Sequence, residues 1–107
     1  MKVRVSRLAA LDLISIGDHL SEQAGKRRAR EFLIELRKKC AELGHMAERF
    51  VALEGFQDAG LRRRVSRNYV IIYRANADVV EILRIFHGAM DYENLLDVRQ
   101  TFDDDTN

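Results

Sequence analysis

The 107-residue chain has no proline, no tryptophan and one cysteine, Cys40. A single thiol cannot close an intrachain disulfide, and a cysteine-based zinc site is excluded with it. Such thin cysteine usage suits a reducing compartment. An excess of one charge is lacking too: 18 Lys and Arg stand against 17 Asp and Glu, for a net +1. No direct, sequence-specific nucleic-acid binding is therefore expected. Apolar residues nowhere run to the roughly 20 that a bilayer span requires. Met1-Lys2-Val3-Arg4-Val5 alternates instead of forming the apolar stretch of a signal peptide. The expectation is a soluble, cytoplasmic protein with no membrane partner. His19, His45 and His87 are scattered, with no carboxylates at ligand spacing, so no metal is expected. The glycines do not form a phosphate loop, and no cofactor is expected.

What is present is enough for one folded domain over residues 1–107. Hydrophobic residues make up 47% of the chain, well above what a disordered tail carries. The acidic run Asp103, Asp104, Asp105 closes the sequence, and about 103–107 reads as a frayed tail. Without that tail the body is moderately basic, with arginines gathered at 27, 28 and 30 and again at 62, 63 and 64.

Val3 and Val5 alternate with Lys2 and Arg4, which predicts a short first strand. Ser6 can cap a helix through its hydroxyl. Ala9, Leu13, Ile16 and Leu20 then recur at helical spacing. After Gly25 a second stripe follows, Ala29, Phe32, Leu33, Leu36, Cys40 and Leu43, with Gly44 placed to adopt the left-handed conformation just past its end. Two amphipathic helices so closely joined predict an antiparallel hairpin from about Leu8 to Leu43. Residues 45–60 carry no period and read as a loop with a short helical turn. From Leu61 the pattern changes. Leu61 to Arg67, Tyr69 to Arg74 and Val79 to His87 are rich in β-branched and aromatic residues, and short connections predict a meander. Asn68, which tolerates positive φ, suits the first tight turn. Leu95, Val98 and Phe102 predict a short C-terminal helix. The fold class is α+β: a helical hairpin packed on a small antiparallel sheet, in the order β-α-α-β-β-β.

Simple alternation puts Glu81, Leu83, Ile85 and His87 on one side of the last strand, and Val80, Ile82, Arg84 and Phe86 on the other. Both sides are mostly apolar, as they are in the strand before it, whereas a sheet with one wet face should alternate cleanly. The helical hairpin can cover one face. The other needs the C-terminal helix, a partner chain or both. Val70, Ile72, Ile82 and Phe86 are the candidates for contact with that partner.

Several pieces then occur in a telling order. They are Ala10, Asp12-Leu13, Ile16 and Leu20; Ala29, Phe32 and Leu36; Gly60-Leu61-Arg62; Tyr69-Val70-Ile71-Ile72-Tyr73-Arg74; and Val80 through Ala89 followed by Asp91-Tyr92. This ordered set, covering residues 3 to about 96, resembles the ParE branch of the ParE/RelE superfamily of toxins. Met90 stands where that family usually carries an arginine, and the proline common in its middle loop is missing. The resemblance implies the toxin of a type II toxin–antitoxin pair. Its partners would be a cognate antitoxin, held in a hetero-oligomer, and DNA gyrase, which it would inhibit or poison without chemistry of its own. The RelE branch shares the fold but cleaves messenger RNA on the ribosome, and a non-toxic binding relative is a further alternative.

Metal-free RNA cleavage needs a base, an acid and cations for the phosphorane. Arg84, His87 and Tyr92 are the candidates, but on a regular strand Arg84 and His87 project to opposite faces. The favoured reading is therefore inhibition by binding, with no catalytic residue. Arg62, Arg64, Arg74, Leu95 and Phe102 are the candidates for contact with the target. Guanidinium groups suit carboxylates on a protein and phosphates on its DNA.

Overall fold

Ser6 ends the first strand and starts the first helix in this computed structural model, which describes residues 1–88. Its hydroxyl accepts from Ala9 N at 3.1 Å and donates to Leu83 O at 2.9 Å. One side chain thus caps a helix and ties it to the sheet. Strand β1 (Lys2–Val5) leads into helix α1 (Arg7–Ala24), and helix α2 (Lys26–Met46) follows at once. A 3-10 turn (Gln57–Ala59) precedes strands β2 (Leu61–Ser66), β3 (Tyr69–Ala75) and β4 (Val79–His87). The single residue between the helices is Gly25, whose φ of 89° reverses the chain.

The meander is antiparallel, as the short turns require. The complete sheet is not. Its order is β1-β4-β3-β2, and β1 pairs parallel to β4, so the expected antiparallel sheet is a mixed one. The whole hairpin lies between β1 and the meander in sequence, a connection long enough for a parallel pairing.

Two further local expectations are corrected. Gly44 lies inside α2, not beyond it. Its missing Cβ serves packing: a Cβ there would stand 2.5 Å from Met1 O, and the Met1 amino group donates to Gly44 O at 2.7 Å. At the β2–β3 turn, Arg67 rather than Asn68 takes the positive φ, 53°. Its guanidinium donates to both Glu35 oxygens, at 2.9 and 3.3 Å, and lies 5.6 Å over the Phe32 ring. Those contacts offset the cost of a left-handed, non-glycine residue, about 1 kcal/mol or more.

Two apolar clusters sandwich the sheet. On the helix side, Ala9, Leu13, Ile16, Leu36, Cys40 and Leu43 pack on Ile71, Tyr73, Val80, Ile82 and Ile85. On the other side Leu53, Leu61, Val70, Ile72, Leu83 and Phe86 gather, with Phe56 and Ala59 against them. Simple alternation in β4 therefore fails after Ile82. Tyr73 pairs with Ile82 while Ile72 pairs with Arg84, leaving Leu83 as an extra residue. This β-bulge resets the parity, so that Ile82 and Ile85 share the helix face and Leu83 and Phe86 share the other. The cover of the second face also has an unexpected source. Leu53, 1% exposed, comes from the stretch without period. That stretch is held to the edge strand by Leu53 N to Leu61 O at 2.8 Å and Arg63 N to Val51 O at 3.1 Å. The expected C-terminal helix lies outside the described residues.

Candidate functional site

The arginines chosen from the sequence as target contacts are occupied within the chain. Arg62 pairs across the ladder with Tyr73 and Arg64 with Ile71, so both lie on the helix side of β2. Arg62 donates to Phe50 O at 2.7 Å and more weakly to Glu48 O at 3.4 Å. Arg64 donates to Lys39 O at 2.8 Å, pairs with Glu42 at 3.0 Å and stacks 4.8 Å over Phe50. The hydrogen bond from Arg64 holds the Glu42 carboxyl below its ordinary range. Tyr73 joins this region, donating from its buried hydroxyl to Ala47 O at 2.7 Å. Burial raises the Tyr73 pKa, against the opposing charge of Arg62. Together these bonds fasten the end of α2 and the stretch after it to the meander.

Arg74 belongs to a different network. Glu81 is buried between its cross-strand neighbours Arg4 and Arg74. It accepts from Arg74 at 2.8 Å, from Asn76 at 2.6 Å and from Arg4. Burial alone would raise its pKa, but the hydrogen bonds from Arg74 and Arg4 win and hold it below the ordinary glutamate range. This carboxylate links three strands. The sequence signal was available: Arg4, Glu81 and Arg74 become cross-strand partners once β1 is placed parallel to β4.

Of the candidate nuclease residues, Arg84 forms a bidentate pair with Asp12 of α1, Nε to Oδ2 at 2.9 Å and Nη2 to Oδ1 at 3.0 Å. Asp12 Oδ2 also accepts Ile85 N at 2.9 Å. That amide lies where β1 has already ended, so Asp12 takes the place of a missing strand neighbour. Arg84 further lies 4.5 Å over the Phe86 ring. His87 is exposed at the strand end, its ring edge-on to Tyr69 at 5.4 Å. Arg84 and His87 are thus near one another in the chain, but the guanidinium is already matched by a carboxylate. Tyr92, Leu95, Phe102 and the Met90 departure lie outside the described residues.

Val70, Ile72, Ile82 and Phe86, the candidates for antitoxin contact, are all buried. Ile82 falls in the helix-side cluster and the other three in the opposite one. A different apolar surface is open and was missed in the sequence. A groove of about 520 Å³ runs between α1 and α2 over Leu13, Gly17, Ala29 and Leu33, with Ile14 and Ile34 on its rims. Ile14 is 59% exposed and Ile34 62%. Lys26, Arg30 and Arg37 line it, and a second hollow sharing Leu13, Ile14 and Arg37 extends it to Val3 and Val5. The signal was that Ile14 and Ile34 each sit one step off the buried stripe of their helix, beside Leu13 and Leu33.

Cys40 offers no chemistry. It is buried in the helix-side cluster, and burial pushes its thiol up to about 11 against the opposing charges of Arg64 and Arg37. Among the described residues no cluster of His, Cys, Asp or Glu is arranged to hold a metal, and no helix is long and apolar enough to cross a membrane.

A search of curated proteins finds no match for this chain. Among solved structures, it is similar to one described as the chromosomal ParDE TA system from P. aeruginosa. That likeness has a TM-score of 0.71 at 24% identity, covering 81% of this chain and 95% of the other, and it establishes a shared fold. The profile of the family described as the ParE toxin of the type II toxin–antitoxin system parDE matches residues 3–92, which is most of the sequence. The chain belongs to the ParE toxin family of type II toxin–antitoxin systems.

Proposed function

We propose that this toxin, acting as one domain in the cytoplasm, inhibits or poisons DNA gyrase by binding and is neutralised by a cognate antitoxin. Family membership implies both partners. The observation that carries the choice of binding over catalysis is the Arg84–Asp12 pair. A cation matched by two carboxylate oxygens is poorly placed to stabilise a developing phosphorane, and this is the arginine a nuclease built on Arg84, His87 and Tyr92 would need.

In this reading Arg62, Arg64 and Arg74 contribute to the target surface mainly by fixing its shape. Each already donates to a carbonyl or a carboxylate. Leu95 and Phe102 are the proposed apolar contacts with the target. An antitoxin that used Val70, Ile72 and Phe86 would have to displace Leu53, Phe56 and Ala59 from them. Surface already open in the free chain is the more economical place for it to begin.

Expression of the chain with and without its antitoxin, followed by gyrase supercoiling, DNA-cleavage and ribosomal mRNA-cleavage assays, tests the proposal. Growth arrest with damaged DNA and lost supercoiling is the expected result. Arrest with intact DNA and cut message would assign the chain to the nuclease branch.

A further inference from the structure

Helix α2 carries more positive charge than its fold uses. A first turn favours acidic residues, because the macrodipole is positive there. This one holds Lys26, Arg27 and Arg28 and no acid, and Gly25 offers no side-chain cap. Helical spacing places Arg28, Glu35, Lys39 and Glu42 on one flank, with Arg27, Glu31 and Lys38 beside them. That flank is turned toward β2, where Arg67 pairs with Glu35 and Arg64 with Glu42. The open groove lies on the other side of α2, and no residue of this flank lines it. Each carboxylate of the flank is already matched, the third being Glu31, which pairs with Arg27 at 3.4 Å. Arg28, Lys38 and Lys39 make no ion pair among the described residues. An uncompensated basic patch therefore stands on a chain whose net charge is only +1.

We infer that this flank of α2 docks on the phosphate backbone of duplex DNA, without reading its sequence. The composition of the flank selects the partner. A protein partner needs aromatic or aliphatic anchors, and none of the exposed large hydrophobics belongs to the flank; Ile34 is on the groove side. A membrane surface needs an apolar face beneath the cations, which is missing for the same reason. A single strand needs open aromatic platforms for its bases, and the Phe32 ring lies under the Arg67 guanidinium at 5.6 Å. A duplex backbone needs only cations at a suitable spacing on a rigid support. From Arg28 to Lys39 the helix rises about 16 Å at about 1.5 Å per residue. Side chains that far apart reach phosphates on both walls of a groove about 12 Å wide. The choice of DNA over RNA rests on the proposed action on gyrase, an enzyme that works on duplex DNA. A toxin bound to it would have that duplex close by, and the basic flank would add a second hold.

Fluorescence anisotropy of short labelled DNA duplexes, titrated with the purified full chain at about 50 to 200 mM salt, tests this inference. Micromolar binding, equal for unrelated sequences, is expected. The logarithm of the binding constant should fall with the logarithm of salt at a slope of about −3, one counterion for each unmatched cation. Arg28→Ala, Lys38→Ala and Lys39→Ala should each flatten that slope by about 1. Lys38→Glu combined with Lys39→Glu should abolish binding, while Arg37→Ala, on the groove side, should change the slope little. Circular dichroism controls for folding, since none of these side chains is buried. No binding at the lowest salt, or a slope indifferent to the flank variants, would overturn the inference. An equal loss from Arg37→Ala would do so too, because net charge and not this flank would then be acting. Tighter binding of a single strand, an RNA duplex or polyglutamate would give the flank to that partner instead. Gyrase is absent from the measurement, so the two readings fail separately. A chain that inhibits the enzyme but ignores the duplex overturns this inference alone, and one that binds the duplex but spares the enzyme overturns the other.

Discussion

The arginines of the sheet and those of the hairpin have the same side chain and opposite employment. Arg62, Arg64, Arg74 and Arg84 each reach a carbonyl or carboxylate belonging to a different element. They fasten α1, the C-terminal half of α2 and the stretch after it to the meander, and tie β3 to β4. Arg30 and Arg37 sit on the outer face of α2 and make no ion pair among the described residues. An arginine in an arginine-rich strand is thus no better a sign of a binding surface than one on a helix. What decides is whether the fold places an acceptor within reach.

Replacing Asp12 with Ala should sharpen this contrast most. It strips the partner from Arg84, only 21% exposed, and from the Ile85 amide at once. Loss of a largely buried, hydrogen-bonded pair costs about 3 kcal/mol or more. Urea unfolding of Asp12→Ala should show that loss, and Asp12→Asn, which keeps an acceptor for the amide, should recover part of it. A change below about 1 kcal/mol would mean that the pair is ornamental.

Glu81→Gln should follow, at about 2 kcal/mol near neutral pH. The pH dependence supplies its signature. A carboxyl held below its ordinary range in the folded state stabilises above its unfolded pKa and loses that contribution as pH falls through the folded one. Acid unfolding of the natural chain should therefore steepen below the ordinary glutamate range, and Glu81→Gln should flatten that limb. An unchanged acid limb would show that Arg4 and Arg74 do not hold the carboxylate.

Arg64→Ala should cost less, about 1–2 kcal/mol, since the Lys39 carbonyl and Glu42 can turn to water. Arg30→Ala and Arg37→Ala should be smallest, within about 0.5 kcal/mol in thermal unfolding. A larger loss at either hairpin position would show that its guanidinium is engaged in holding the fold.

How much of this was legible in the sequence depended on whether a feature was local. The Ser6 cap, the two helical stripes and the three meander strands follow from neighbours in the chain, and the structure has them. The parallel placement of β1 does not, because it depends on contacts between residues 77 apart. Nor does the bulge at Leu83, which no residue type announces and which overturned the assignment of faces in β4. The cover of the second face was hidden for the same reason: Leu53 and Phe56 lie in a segment without period, and only the finished sheet shows what they pack on. Candidate arginines were visible as residues but not as ion pairs. Asp12, the group that commits Arg84, was legible only as part of a family resemblance.

Action on gyrase by binding, as proposed, is tested most directly by the dose at which the purified chain stops supercoiling. Inhibition that saturates near stoichiometric amounts of chain, and is relieved by adding antitoxin, is the predicted result. Undiminished supercoiling at excess chain, with substoichiometric chain cutting message on translating ribosomes, would contradict it.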